Sequence, residues 1–123
     1  MKNIRKVYYL SSCSTCKRIM NEIGSKIDLF QIQDIKSEQM TTEQLDEMKN
    51  LSGSYSSLFS KRSMQYRALG LNEKNLGEED CRDLILKEYT FLKRPVFIVD
   101  GEIFIGNSKK VVEALQQRLE GLE

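Results

Sequence analysis

Residues 6–18 read KVYYLSSCSTCKR, and this stretch decides the predicted fold. Its β-branched and aromatic beginning predicts a first strand near residues 4–10. Apolar residues then recur at helical spacing up to Ile23, just before Gly24, which predicts a helix that begins at or just after Cys13. The C-x-x-C pair therefore lies where a strand passes into a helix, near the sheet edge at which open α/β sheets bind ligands.

The rest of the chain supplies the order of the remaining elements. An alternating apolar and polar stretch at residues 29–35 predicts a second strand. Helical spacing recurs between Thr42 and Tyr89, and Asp-Gly at 100–101 between two apolar runs predicts a β-hairpin. Residues 111–119 predict a closing helix. This order predicts an α/β fold: a thioredoxin-like four-stranded mixed sheet with flanking helices and an all-helical insertion between strands 2 and 3.

Length and composition predict one ordinary globular domain. The chain has 123 residues, of which 30% are charged and 40% hydrophobic. We expect a single domain over 1–123, with its helical insertion at about residues 37–91. A net charge of +1 without a basic tail argues against direct nucleic-acid binding. Every apolar run is too short to cross a bilayer, so we expect a cytoplasmic chain without membrane contact. We also expect the chain to be a monomer.

The cysteine pair is the first candidate site. A helix N-terminus stabilises an anion, and Lys17 and Arg18 add positive charge nearby, so Cys13 is predicted to have a lowered pKa and to act as the nucleophile. Cys16 lies three residues on, on the apolar face of the helix, and is predicted to be the less exposed, resolving thiol. Cys81 has the spacing of a small core residue, and we assign it no function.

Two other interpretations of the pair stay open. The cysteines would be half of a zinc site if two more ligands lay near, but the chain has no histidine and only one further cysteine, and we predict no metal. They would also be two small core residues without chemistry, since free cysteine is often buried. Their position at a helix start favours the redox interpretation.

A second candidate group lies before the third strand. Pro95, the only proline, is predicted to follow a cis peptide bond because of its place beside the cysteine pair; a trans proline that begins a strand is the alternative. Arg94 is predicted to point into the same groove, where it would bind an oxyanion or hold the Cys13 thiolate. Arg62 would close the groove from the helical insertion or lie on a solvated face. Lys17 and Pro95 complete the predicted anion-binding set.

Several motifs together resemble one known family. They are YLSSCSTCKR at residues 9–18, KRS at 61–63 followed by YR at 66–67, LKRPV at 92–96, and GN at 106–107. They are similar to the glutaredoxin-linked arsenate reductase family, ArsC, and its Spx-type relatives, and the resemblance covers essentially the whole chain. It implies a thioredoxin-like core with a helical insertion, attack of Cys13 on arsenate, and an oxyanion held by Arg94. It also implies no bound cofactor, with glutathione or glutaredoxin as the reductant.

The sequence departs from the arsenate-reducing pattern at two positions. Ser60 and Gly106 stand where those reductases carry arginines, which weakens oxyanion binding. The second cysteine, Cys16, makes the chain similar to the Spx-type branch. In that branch the cysteine pair is a redox switch, and the protein binds the RNA polymerase α subunit. Gly53 falls roughly in the insertion segment used for that contact. The resemblance therefore implies a thiol-dependent oxidoreductase acting on a small oxyanion or a thiol/disulfide substrate, or else an Spx-like redox-sensing transcriptional regulator.

Overall fold

The structure, a computed structural model, describes residues 4–122 of the chain. One four-stranded sheet is formed within them, with the strand order β2-β1-β3-β4. Its strands are β1 (Arg5–Tyr9), β2 (Gln31–Asp34), β3 (Val96–Val99) and β4 (Glu102–Ile105). β1 and β2 are parallel, whereas β1 with β3 and β3 with β4 are antiparallel. The mixed sheet predicted from the order of elements is confirmed.

The helices fall into two units of the chain. The first unit comprises the described residues up to Glu38 together with those from Arg94 onward, and the second is Gln39–Lys93. The α-helices are α1 (Ser14–Ile23), α2 (Thr42–Ser52), α3 (Met64–Ala68), α4 (Glu78–Lys87) and α5 (Lys109–Leu119). The second unit thus holds α2, α3 and α4 and follows β2 in the chain, which confirms the predicted helical insertion between β2 and β3.

The core of the first unit joins the two central strands to α1 and α5. Val7 and Phe97 belong to one buried cluster with Ile19 of α1 and Leu115 of α5, and each is at most 1% exposed. Phe30 packs edge-on against Phe97 at a ring-centroid distance of 5.4 Å. Burial of these apolar faces is the main force that holds α1 against the sheet, and it fixes where the first turn of α1 begins.

The second unit has a core of its own. Leu45 and Met48 of α2 and Ile85 of α4 are at most 2% exposed. The Glu78 carboxylate at the start of α4 accepts hydrogen bonds from the backbone N–H groups of Tyr55 and Ser56, at 2.6 and 3.0 Å. Apolar packing and these charge-assisted bonds account for the stability of the unit.

Cys81 lies in α4 and is 3% exposed. Burial, followed by the nearby Glu78 and Asp80 carboxylates, raises the pKa of its thiol. A protonated, buried thiol is a poor nucleophile. The predicted role of Cys81 as a small core residue is confirmed.

Strand β2 orients its side chains differently from what the apolar pattern suggests. Ile32 is 48% exposed, whereas Gln33 is 1% exposed and donates a hydrogen bond from its Nε2 to the Glu38 carbonyl at 3.0 Å. Alternation determines which residues share a face of a strand, but tertiary packing determines which face is covered. At this edge strand the buried face includes an amide, which is satisfied by the turn that follows.

The β3–β4 hairpin closes through a two-residue turn. Asp100 and Gly101 both have positive φ angles, 48° and 94°, and Val99 pairs with Glu102. This is the backbone that a type I′ turn requires, and the Asp-Gly pair predicted it. The Arg5 guanidinium binds the Asp100 carboxylate at 3.3 Å, which ties the turn to the beginning of β1.

Substitution of Gly101 by Ala is expected to lower the free energy of unfolding by roughly 1–2 kcal/mol, because an L-residue is strained at this φ. A Cβ added there would meet nothing within 4 Å, so the effect arises from the backbone alone. Gly121→Ala is the matched control, since Gly121 lies outside the left-handed region and is equally uncrowded. Urea denaturation measures both variants, and equal losses would contradict the assignment of the strain to the turn.

Candidate active site

Cys13 is the N-cap residue of α1, with the extended backbone angles φ −91° and ψ 111°. Its N–H donates to the Leu10 carbonyl at 2.9 Å, and its own carbonyl accepts from the Lys17 N–H at 3.2 Å. The first turn of α1 contains no acidic side chain. The Cys13 side chain therefore lies at the positive end of the helix dipole, with no nearby carboxylate of α1 to oppose it. The predicted start of this helix is confirmed.

The surroundings of Cys13 favour its thiolate. Partial burial by itself raises the pKa of the Cys13 thiol, but the Cys16 backbone N–H, the Cys16 thiol and the Arg94 guanidinium together lower that pKa below its ordinary value. The Cys13 side chain makes no capping hydrogen bond with the first turn of α1. The Cys16 N–H nevertheless lies near the Cys13 sulfur, and its dipole stabilises the thiolate. Arg94 contributes both its charge and a hydrogen bond to the sulfur.

Cys16 has the opposite character. Its side chain is fully buried, with 0% exposure, and burial raises the pKa of its thiol to about 12. The neighbouring Cys13 raises this pKa as well, whereas the Leu10 N–H and the Arg94 charge lower it. Cys16 is therefore a thiol at neutral pH and a hydrogen-bond donor to Cys13. The predicted difference in exposure between the two cysteines is confirmed, and both are free.

The Arg94–Pro95 peptide bond is cis, as predicted. Arg94 is half-buried, and Pro95 is buried immediately before β3. Two hydrogen bonds from the segment after β4 hold this dipeptide: the Gly106 N–H donates to the Pro95 carbonyl at 2.9 Å, and Asn107 Nδ2 donates to the Arg94 carbonyl at 3.3 Å. The structure thus brings Cys13, Cys16 and Arg94 together in the first unit.

Asp34, at the end of β2, fastens the loop that carries the cysteine pair. Its Oδ1 accepts from the Ser11 N–H at 3.3 Å and from the Lys36 N–H at 3.2 Å. Hydrogen bonding from Ser11, and then from Lys36, lowers the pKa of the Asp34 carboxyl despite some burial. The sequence analysis did not select Asp34 or Asn107. The signal available in the sequence was their position near strand ends: Asp34 is the last residue of β2, and Asn107 follows the last residue of β4 by two positions.

The other predicted anion-binding residues are exposed. Lys17 and Arg18 lie on the outer face of α1, and Arg18 pairs with Glu22 at 3.3 Å. The positive charge that lowers the Cys13 pKa is that of Arg94. Arg62 belongs to the second unit, where it is exposed and its N–H donates to Ser60 Oγ at 3.3 Å. The anion-binding roles of Lys17 and Arg62 stay predictions.

Residues 4–122 contain neither a membrane-spanning helix nor a metal-ligating cluster. No helix there is long and apolar enough to span a bilayer. No group of three or more His, Cys, Asp or Glu side chains is gathered there in a way that would hold a metal ion.

A mixed sheet with a C-x-x-C pair at the start of its first helix and a cis proline before its third strand defines a protein of the thioredoxin-like class. The model of the ArsC family matches residues 8–115, and the chain belongs to the ArsC family. No curated protein matches the chain. The resemblance drawn from the motifs is confirmed for the family, while the Spx-type branch stays a prediction.

Solved structures with the same fold have low sequence identity to this chain. A possible arsenate reductase from Streptococcus mutans is 24% identical, with a TM-score of 0.69, over 93% of this chain and 98% of its own. An arsenate reductase (ArsC) related protein from Brucella melitensis is 22% identical, with a TM-score of 0.67, over 93% and 95%. The arsenate reductase from Vibrio cholerae is 13% identical, with a TM-score of 0.74, over 94% and 98%. At these identities the likeness shows the fold.

Arg94→Gln is expected to raise the pKa of Cys13, because the variant lacks the charge that stabilises the thiolate. Below that pKa, the loss of a charge-assisted hydrogen bond would slow alkylation of Cys13 about tenfold. The rate is measured against pH with iodoacetamide on the Cys13 peptide. Arg18→Gln is the matched control, since Arg18 is exposed and pairs with Glu22. The interpretation fails if the two variants alkylate alike.

Proposed function

We propose that this chain is a thiol–disulfide redox protein in which Cys13 is the nucleophile and Cys16 the resolving thiol. The observation that carries the proposal is the opposite shift of the two neighbouring thiols, with the pKa lowered at Cys13 and raised to about 12 at Cys16. A partly exposed sulfur with a lowered pKa beside a buried thiol provides one attacking and one reserve sulfur. Membership of the ArsC family supports thiol chemistry at this position.

The proposed reaction transfers two electrons from the cysteine pair to the substrate. The Cys13 thiolate attacks one sulfur of a substrate disulfide, which breaks the S–S bond, forms a mixed disulfide and releases one thiolate. Cys16 then loses its proton to the released thiolate and attacks Cys13 Sγ. This forms the Cys13–Cys16 disulfide and releases the second substrate sulfur as a thiolate. Glutathione or glutaredoxin would reduce the pair again by the same exchange.

The electrostatics of the pair suit this order of steps. Cys13 is one of the groups that raise the Cys16 pKa. Formation of the mixed disulfide removes the negative charge on Cys13, while the Arg94 charge and the Leu10 N–H, which both lower the Cys16 pKa, stay in place. The Cys16 pKa is therefore expected to fall when its proton must leave, so the resolving step is favoured after the first attack and disfavoured before it.

An oxyanion is the second substrate class within this proposal. Arg94 would bind it in the groove beside Cys13, with Lys17 and Pro95 of the same unit as further contacts. The two departures from the reductase pattern, Ser60 and Gly106, argue for weak oxyanion binding. We therefore favour thiol/disulfide substrates over arsenate.

A redox-sensing regulator is the alternative function. The second cysteine favours it, because Cys13 and Cys16 would suffice for a reversible intramolecular switch without any turnover. In that case an Spx-like contact of the helical insertion with the RNA polymerase α subunit would replace the substrate. Turnover with a thiol donor supports the enzyme, and a stoichiometric polymerase complex that depends on oxidation supports the regulator.

Mild oxidation is expected to remove two hydrogens between Cys13 and Cys16, as measured by mass spectrometry of the digested chain. With a substrate disulfide, Cys16→Ser is expected to stop at the mixed disulfide on Cys13, because the resolving sulfur is missing. Cys81→Ala is the matched control and is expected to react as the unchanged chain does, since Cys81 is buried in the second unit. A pair that stays reduced, or a Cys16→Ser variant that still releases both substrate thiols, would refute the assigned roles.

Arsenate reduction coupled to glutathione and glutaredoxin is expected to be slow. Each missing arginine removes a charge-assisted hydrogen bond of about 1.5–3 kcal/mol, so two of them weaken oxyanion binding roughly a hundredfold or more. The comparison is with a reductase that has all three arginines; equal efficiency of the unchanged chain would contradict the prediction.

A further inference from the structure

The position of Arg94 depends on a short backbone segment that precedes β3. Its guanidinium contributes a charge and a hydrogen bond to the Cys13 sulfur, so a small displacement of the segment changes both. The next residue, Pro95, has no backbone N–H and cannot add a donor to the ladder. The segment is therefore held through its carbonyl groups, and the Arg94 and Pro95 carbonyls each accept one hydrogen bond from residues that follow β4.

These two hydrogen bonds differ in kind. The Gly106 N–H bond to the Pro95 carbonyl, at 2.9 Å, extends the β3–β4 ladder by one step beyond the Val96–Ile105 pair. The bond from Asn107 Nδ2 to the Arg94 carbonyl, at 3.3 Å, comes from a side chain. Because a carbonyl oxygen only accepts, the nitrogen of the Asn107 amide must face it. This second bond acts on the residue whose guanidinium contacts Cys13.

The Asn107 side chain is itself well placed to act as a fixed donor. Gly106, before it, has a φ of 87°, which turns the chain sharply at the end of β4. Ser108, after it, is the N-cap of α5, and its Oγ accepts from the Val111 N–H at 3.2 Å. Asn107 thus lies between the end of a strand ladder and a capped helix. With both flanks fixed, its amide holds the Arg94 carbonyl at little entropic cost.

We propose that Asn107 is a positioning residue that holds the Arg94 side chain beside Cys13 through its hydrogen bond to the Arg94 carbonyl. It does not contact the reacting sulfur and acts only through Arg94. The proposal deepens the proposed function, because the same Cys13–Arg94 contact serves the nucleophile there. Cys16 and Arg94 are the ionisable groups that act most strongly on Cys13, and Asn107 bonds the backbone of Arg94, so we expect its effect on Cys13 to pass through Arg94.

The test is a double-mutant cycle read out by the alkylation rate of Cys13 against pH, with iodoacetamide as the probe. Asn107→Leu keeps the shape of the side chain and removes the donor. We expect about threefold slower alkylation on the acidic side of the profile, less than the loss on removing Arg94 itself. In the Arg94→Gln background the same substitution is expected to have no further effect, because the group through which Asn107 acts is absent.

Ser108→Ala is the control for a general loss of stability. It removes the cap of α5, so thermal unfolding is expected at a lower temperature, while the Cys13 pH profile stays unchanged. If Asn107→Leu does not fold, Asn107→Ser gives the same comparison, since its shorter side chain cannot reach the carbonyl. An unchanged profile in either Asn107 variant, or an equal slowing with and without Arg94, would overturn the proposal. The readout requires no turnover, so a failure of the exchange reaction would leave this result standing.

Discussion

The antiparallel pairing of β1 with β3 is the constraint on which the candidate site depends. Tyr8 pairs with Val96, so the end of β1 and the beginning of β3 meet at one edge of the sheet. Cys13 follows β1 after a short turn, and Arg94 lies two residues before the start of β3. Residues that are about eighty positions apart in the chain are thereby brought into hydrogen-bond contact. Loss of this register by one residue would turn the strand over and separate them.

The other two strands end at the same edge and reinforce it. Tyr9 pairs with Asp34 of parallel β2, and Asp34 holds the loop before Cys13 through the Ser11 N–H. Val96 pairs with Ile105 of β4, which is followed by the glycine and asparagine that hold the cis peptide segment. Each strand thus contributes a terminus to the site. The chemistry rests on backbone segments fixed by the sheet, and this gives the first turn of α1 a rigid setting.

Burial separates the two cysteines chemically. Cys13 is the N-cap of α1 and stays partly exposed, whereas Cys16 lies in the first turn of the helix, on the face that packs in the core. Desolvation disfavours the Cys16 thiolate, while hydrogen bonds and the guanidinium of Arg94 favour that of Cys13. Two identical side chains three positions apart therefore differ in burial and in the direction of their pKa shifts.

The sequence by itself determined the elements and the cysteine pair. Local signals were sufficient for the helix that begins after Cys13, for the hairpin at Asp100-Gly101 and for the burial of Cys16, because each depends on helical or strand periodicity and on turn chemistry over a few residues. Arg94 was found because it adjoins the only proline.

Only the tertiary structure decided which face of β2 is buried, with Gln33 inside and Ile32 outside. It also showed that the positive charge beside Cys13 is that of Arg94, whereas Lys17 and Arg18 are exposed, and that Asp34 and Asn107 hold the segments that carry Cys13 and Arg94. The reason is physical: almost every residue offers the same backbone carbonyl and N–H, so the amino-acid sequence does not show which of these groups a distant side chain will bind. Such contacts are set by strand register and by the packing of distant segments, which local periodicity does not encode.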